Sequence, residues 1–155
     1  MYWKPNMPGS AARHSATRSA TPSQSPNAWR CSCRWPSVLI STPMWNFGIP
    51  YKLKQWLDII IQPGLAFRFD PAQGYLPLLK DRPTIVILAS GSDFVTGMNR
   101  GRIDMATPYL REALRFIGIS DLRFVPIGPT TGPAEPIRAA RDAAHRRLAA
   151  MAARF

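Results

Sequence analysis

The sequence "SVLISTPMWNFGIPYKLKQWLDIII" (37–61) has the pattern of a strand, a turn and a helix in succession. Residues 37–42 are apolar enough to be buried on both faces, as a strand of a parallel sheet must be. In the turn, Gly48 predicts a position of positive φ, and Pro50 suits the first turn of a helix, where its missing N–H needs no partner. Pro63-Gly64 predicts the end of that helix. Its apolar stripe is predicted to consist of Leu53, Trp56, Leu57, Ile60 and Ile61.

A second unit of the same kind follows a long connection, residues 65–83. "TIVILAS" (84–90) predicts another buried strand, and Gly91 marks its end. Thr107 then predicts an N-cap, and Pro108 predicts the opening of a second helix. The apolar side and the end of this helix are predicted at Leu110, Leu114, Ile117 and Gly118.

"LRFVPIG" (122–128) predicts a third strand, and a last helix is predicted from about Ala134 to Arg154. One stripe of this helix is apolar and consists of Ile137, Ala140, Ala144, Leu148 and Met151. A solvated face is predicted for Arg138, Arg141, Asp142, His145 and Arg146. The order β-α-β-α-β-α predicts an α/β fold with a parallel sheet and right-handed crossovers.

Ligands of such sheets bind beyond the carboxyl ends of the strands, and two of those ends, "PMWNFG" (43–48) and "ASGSDF" (89–94), are unusual. A flat, electron-poor ring needs aromatic or thioether surface, backbone N–H donors and close approach of the main chain. Both ends offer these features, the second through free N–H groups of its small residues. The candidate binding residues are Met44, Trp45, Asn46, Phe47, Ala89, Ser90, Gly91 and Ser92. In an alternative interpretation, Trp45 and Phe47 are core or dimer-interface residues at a strand-to-helix corner.

Four segments together resemble the flavodoxin-like FMN-dependent NAD(P)H oxidoreductases that reduce quinones and azo dyes. They are "PMWNFGIP" (43–50), "LKQWLDIIIQPGLAFRF" (53–69), "IVILASGS" (85–92) and "TPYLREALRFIGISDLRFV" (107–125). The resemblance covers about residues 37–153. It implies a flavodoxin-like, three-layer, doubly wound parallel sheet, of which this chain carries the last three strands, 3, 4 and 5, and their helices.

The resemblance also implies the cofactor and the chemistry. FMN would be held by the turn at Met44–Phe47 and by the loop at Ala89–Ser92, although that loop departs from the commoner Ser-Arg-Gly-Gly form. NADH or NADPH would transfer hydride to the flavin, and a quinone or azo compound would then take the electrons in a ping-pong reaction. Because the cofactor carries the chemistry, no catalytic acid–base pair and no metal are expected, and neither His14 nor His145 is expected to be catalytic.

Family members are commonly homodimers with the flavin at the interface. The resemblance therefore implies that Phe67, Phe69 and the helix bearing Trp56 face a partner subunit.

A flavodoxin-like sheet has five strands in the order 2-1-3-4-5 and binds the flavin phosphate after the first strand. Residues 1–9 do not have the pattern of such a strand. Phosphate-binding chemistry is present in Ser10, Ser15, Thr17, Arg18 and Ser19. We therefore expect a truncated or mis-started form of a larger enzyme, with a frame error before about Trp35 and weakened FMN binding.

The two parts of the chain differ in composition. Residues 1–34 are rich in Ser, Pro and Arg, contain no acid and are predicted to be disordered, whereas residues 35–155 form the partial flavodoxin-like domain. Cys31 and Cys33 match neither a redox motif nor a zinc site, which favours free thiols and a cytoplasmic protein without a membrane span.

Two alternatives to the enzyme remain open. One is a non-catalytic fragment or interaction subunit. The other, motivated by a net charge of +11, is a basic nucleic-acid binder, although no motif of that class is present.

Overall fold

Strands and helices alternate along the part of the chain that the computed structural model describes, residues 36–95 and 101–152. The elements, in chain order, are β1 (Val38–Pro43), α1 (Tyr51–Ile60), β2 (Phe67–Asp70), β3 (Gly74–Pro77), β4 (Thr84–Ala89), α2 (Ala106–Phe116), β5 (Leu122–Ile127) and α3 (Ala134–Ala152). Within these ranges, none of the helices is long and apolar enough to cross a membrane.

The main sheet contains three parallel strands in the order β1-β4-β5. Val86, at the centre of β4, lies opposite Ile40 of β1 and Phe124 of β5. Because all three strands run in the same direction, their carboxyl ends meet at one edge of the sheet. The predicted α/β architecture is therefore confirmed.

Helices cover both faces of this sheet. On one face, Leu57 of α1 and Leu110 and Leu114 of α2 are buried with Ile40 and Val86. Each of these leucines contributes about 1.5–3 kcal/mol by its burial. On the other face, Ala144 of α3 packs against Ile85 and Val125, with Leu148 and Met151 beside them. The predicted stripe of α2 is buried, and that of α3 contains the buried Ala144 with half-buried residues on either side, since each stripe matches the helical period of 3.6.

Two predictions of burial are wrong. In β1, Ile40 and Thr42 are buried, but the alternate residues Leu39, Ser41 and Pro43 are exposed. The reason is that α3 packs on β4 and β5 and leaves the β1 side chains of that face uncovered. In α1, Trp56 is 42% exposed although its neighbour Leu57 is buried, because successive residues differ by about 100° around the helix axis.

The long connection predicted for residues 65–83 contains a hairpin. Strands β2 and β3 are antiparallel, and Phe69 lies opposite Tyr75. Their turn is held by Asp70, whose Oδ1 accepts the N–H groups of Ala72 and Gln73 at 2.9 and 3.1 Å. The alternation of "FRF" followed by the turn residues "DPAQG" is a hairpin signal that the expectation of a plain connection overlooked.

The start of α2 also differs from the prediction. Thr107 lies inside the first turn, and the N-cap position belongs to Met105. The capping oxygen comes from Asp104, whose Oδ1 accepts the N–H groups of Ala106 and Thr107 at 2.9 Å each. A carboxylate is favoured here because it also interacts with the positive end of the helix dipole.

Asp81 connects the segment before β4 to the segment before β5. Its carboxylate accepts the Ser120 hydroxyl, the Ser120 N–H at 2.8 Å and the Asp121 N–H at 3.3 Å. The Ser120 hydroxyl above all lowers the pKa of Asp81 from its ordinary value of 3.8 to about 2. The carboxylate therefore stabilises the fold above about pH 4, and this contribution is lost as the pH falls towards 2.

Replacing Asp81 by asparagine is expected to lower the melting temperature at pH 6 and to have little effect near pH 2, because the wild-type group is then protonating too. Thermal unfolding followed by circular dichroism from pH 6 to 2 measures the difference. Ser120→Ala serves as the companion variant, because it removes the largest cause of the shift. A difference that stayed constant over this range would contradict the assignment.

Candidate functional site

A cleft opens at the carboxyl edge of the sheet, between the end of β1 and the end of β4. Its volume is about 210 Å³. It is lined by Met44, Asn46, Phe47, Ser90, Gly91, Ser92 and Phe94. Six of the eight predicted binding residues are therefore brought together, and Phe94 is added to them.

The other two predicted residues have different positions. Trp45 is 55% exposed and does not line the cleft. Ala89 ends β4, and its carbonyl accepts the Met44 N–H at 2.7 Å, which ties the two strand ends together.

The first wall of the cleft is a tight reverse turn. The Trp45 N–H donates to the Gly48 carbonyl at 3.0 Å, and the Gly48 N–H donates to the Trp45 carbonyl at 2.9 Å. The two central residues, Asn46 and Phe47, have φ angles of 48° and 69°. The prediction of positive φ at Gly48 was therefore wrong, since the left-handed conformation falls on the two residues before it.

This backbone is strained at Phe47. Asparagine tolerates positive φ through its short polar side chain, whereas an aromatic residue with a Cβ does so at a cost of about 1–3 kcal/mol. The turn is held by the Met105 N–H, which donates to the Phe47 carbonyl at 3.0 Å from the start of α2. Strained non-glycine backbone held by tertiary contacts is typical of functional sites, and here it sets Asn46 and Phe47 in the cleft wall.

Ser90 shapes the second wall from within. Its N–H donates to the Ile127 carbonyl of β5 at 2.8 Å, and its hydroxyl donates to the Ser92 carbonyl at 2.7 Å. The predicted free N–H of Ser90 is thus wrong, because the parallel ladder uses it. Within residues 36–95 and 101–152, the N–H groups of Gly91 and Ser92 donate to no acceptor, so these two remain available to a ligand.

The loop after β5, residues 128–131, braces this second wall and was not predicted as part of the site. Thr130 donates to the Ser90 carbonyl through both its N–H and its hydroxyl, each at 3.0 Å. The Thr131 hydroxyl donates to the Gly91 carbonyl at 3.0 Å. The sequence did indicate that this loop lies at the site, because "IGPTTGP" (127–133) follows the third parallel strand and must emerge at the same edge of the sheet.

A guanidinium contacts the second wall of the cleft without lining the cleft itself. Arg102 Nη1 donates to the Ser92 hydroxyl at 3.0 Å, from ten residues further along the chain. No local pattern around Arg102 distinguishes it from the other arginines, so the sequence contained no signal for this contact.

A larger concavity of about 320 Å³ lies between the end of β5 and α3. Alanine and proline make up most of its lining, and its charged side chains are Asp93 and Arg147. Because it offers few hydrogen-bond donors, the smaller cleft is the better candidate for a polar ring. His145 is exposed on α3 and lines neither of these two concavities. The predicted phosphate-binding residues, Ser10, Ser15, Thr17, Arg18 and Ser19, as well as His14, Cys31 and Cys33, lie outside the described residues.

The parallel sheet, its helices and the strand-end cleft define a flavodoxin-like protein, and the chain belongs to that family: the model of the flavodoxin-like fold matches residues 36–151. FMN-dependent NADH:quinone oxidoreductase 1 of Bradyrhizobium diazoefficiens is 85% identical over 118 residues, which cover 76% of this chain and 57% of that protein. An FMN-dependent NADH:quinone oxidoreductase of Nitratidesulfovibrio vulgaris (strain DP4) is 42% identical over 118 residues, 76% of this chain and 56% of that protein.

Solved structures agree with this family. The FMN-dependent NADH-azoreductase from Bacillus anthracis str. Ames Ancestor, in complex with FMN, has a TM-score of 0.62 at 29% identity, with coverage of 76% of this chain and 57% of that one. An azoreductase from Bacillus anthracis str. Sterne, at 23% identity, has a TM-score of 0.68, with coverage of 77% and 57%, and supports the fold alone. The predicted resemblance is confirmed. The chain spans just over half the length of the curated relatives it matches.

Proposed function

We propose that this chain binds FMN in the cleft between β1 and β4 and acts as an FMN-dependent NAD(P)H oxidoreductase that reduces quinones or azo compounds. The observation that carries the proposal is the convergence of the turn at residues 44–48 with the loop at residues 90–94 in one cleft. The names of the relatives support it, since they are FMN-dependent NADH:quinone oxidoreductases.

The chemistry of the cleft fits one edge of a flavin ring. Met44 and Phe47 offer thioether and aromatic surface, which favours stacking on a flat ring. Asn46 offers a side-chain amide, and Gly91 and Ser92 offer N–H groups without an acceptor in the described part of the chain. The carbonyls and nitrogens of the ring are the acceptors that such donors would satisfy.

The residues of this chain bind and orient, while bound FMN supplies the chemistry by accepting an electron pair from NADH or NADPH and passing it to the acceptor. The strained turn presents Asn46 at a fixed position, because its backbone is held at both ends by hydrogen bonds. Ser90 and Thr130 keep the second wall rigid, so that its donors are aligned before the ligand arrives.

We also assign the protein to the cytoplasm, where nicotinamide cosubstrates are present.

We further propose that the protein acts as a homodimer through the hairpin β2–β3. Phe69 and Tyr75 are each 63% exposed. They form a continuous aromatic cluster with Phe67 and Phe116, in which contacting ring centroids lie 4.8–5.7 Å apart. Exposed aromatic surface of this kind is typical of protein interfaces.

Titration of FMN into the purified protein, followed by flavin fluorescence, tests the proposal, with riboflavin as the control that lacks the phosphate. We expect saturable binding of flavin and, for the loaded protein, oxidation of NADH in the presence of a quinone. Asn46→Gly should weaken binding about two- to tenfold, because glycine keeps the left-handed backbone and removes the amide.

The control is Arg138→Ala, an exposed residue of α3 outside both the cleft lining and the hairpin, which should leave flavin affinity unchanged. Failure of both flavins to bind would overturn the proposal. Sedimentation of the same samples measures the mass against the 17.3 kDa of one chain, and a monomer in the presence of FMN would overturn the homodimer.

A further inference from the structure

We propose that Arg102 raises the reduction potential of the flavin bound in the cleft, so that it is a positioning and tuning residue for the redox reaction. This inference rests on the proposed function. Its evidence is the contact of the Arg102 guanidinium with Ser92, a residue of the cleft wall.

The positive charge beside the second wall of the cleft comes from outside the loop that forms this wall. The loop "ASGS" (89–92) contains no charged residue. Arg102, in the segment that leads into α2, places Nη1 3.0 Å from the Ser92 hydroxyl. The same wall therefore gains a positive charge from a different part of the chain.

The wall that Arg102 contacts is also the wall rich in donors. The N–H groups of Gly91 and Ser92 suit the end of the flavin that carries carbonyls and ring nitrogens, whereas Met44 and Phe47 suit flat apolar surface. In that orientation, the polar end of the ring would face the wall whose Ser92 hydroxyl Arg102 contacts. A charge near those nitrogens is one of the means by which proteins tune a flavin.

The direction of the effect follows from charge balance. A hydride consists of one proton and two electrons. Its transfer from NADH would therefore add one net negative charge to the ring, unless the ring also takes up a proton from solvent. A guanidinium close to that charge stabilises the reduced form more than the oxidised form, which raises the potential. The Asp93 carboxylate, although next to Ser92 in the chain, lines the neighbouring concavity and not this cleft.

The test is the midpoint potential of bound FMN in the wild type and in Arg102→Gln and Arg102→Lys, together with the Kd of each protein for oxidised FMN and for riboflavin. In Arg102→Gln, we expect the affinity for reduced FMN to fall about tenfold relative to that for oxidised FMN, which lowers the potential by about 30 mV for a two-electron couple. Arg102→Lys should retain most of the wild-type potential, since it keeps the charge.

Arg146→Gln is the matched control, because it removes one exposed arginine from α3. It should leave the potential unchanged.

Three results would overturn the inference. One is an unchanged potential in Arg102→Gln. Another is a loss of affinity for FMN but not for riboflavin, with the potential unchanged, which would assign Arg102 to the phosphate. The last is a wild-type protein that binds neither flavin, which would overturn the proposed function itself and the inference with it.

Discussion

Gly128→Ala is expected to weaken flavin binding by about tenfold or more and to lower the free energy of unfolding by about 1–3 kcal/mol. A Cβ at this position would lie 2.6 Å from the Ser90 hydroxyl oxygen and 2.6 Å from the Ser92 carbonyl oxygen. Real side chains do not approach this closely, so the loop at residues 90–92 must move. That loop carries the donors of the second wall of the cleft, and a displacement would misalign them with the ring.

Flavin fluorescence titration and urea unfolding measure the two effects of Gly128→Ala. Gly48→Ala is the control, since a Cβ there would meet the Trp45 carbonyl at an ordinary 3.9 Å. Unchanged affinity in Gly128→Ala would show that the loop after β5 does not position the cleft wall.

Gly118→Ala is expected to lower the free energy of unfolding by about 2–4 kcal/mol. Gly118 follows the C-terminus of α2 with φ +107°, a conformation that residues with a Cβ rarely adopt. A Cβ there would also lie 2.6 Å from the Leu79 carbonyl oxygen and 3.1 Å from Pro77 Cβ. Pro77 ends β3 and Leu79 lies just after it, so the clash would separate the end of α2 from the end of the hairpin.

Gly132→Ala separates the effect of positive φ from the effect of the steric clash in Gly118→Ala. Gly132 has a similar φ of +115°, but a Cβ there would meet nothing within 4 Å. Urea unfolding followed by circular dichroism should therefore show a smaller loss, about 1–2 kcal/mol, from the backbone conformation alone. Equal losses in the two variants would mean that close approach to Leu79 contributes nothing.

Most of the candidate site could be predicted from the sequence. The turn and the loop that form the cleft were both located, because apolar runs of strand length identify the strand ends and parallel strands bring those ends to one edge. Met44, Asn46, Phe47, Ser90, Gly91 and Ser92 do line one cleft. Their role in binding FMN stays a prediction until it is measured.

The wrong predictions for Gly48 and Thr107 have the same cause. Gly48 was favoured for positive φ because glycine adopts it without strain, yet Asn46 and Phe47 adopt it under the constraint of long-range hydrogen bonds. Thr107 was favoured as the cap because its residue type suits that position, yet the carboxylate of Asp104 supplies the bonds. In both cases, the residue type favours the predicted role, but hydrogen bonds from neighbouring groups give that role to another residue.

The sequence by itself determined the three strands of the main sheet, the apolar stripes of α2 and α3 and the two segments that meet at the cleft. These features depend on residue type and on spacing within about 20 residues, which local periodicity records.

Only the tertiary structure decided which groups shape the cleft. Thr130 bonds to Ser90 across 40 residues of chain, and Arg102 reaches Ser92 from a different segment. Likewise, the exposure of Leu39 depends on where α3 packs. The physical reason is that such contacts are set by strand order and by the path of each loop beyond the sheet edge, and neither leaves a period in the sequence.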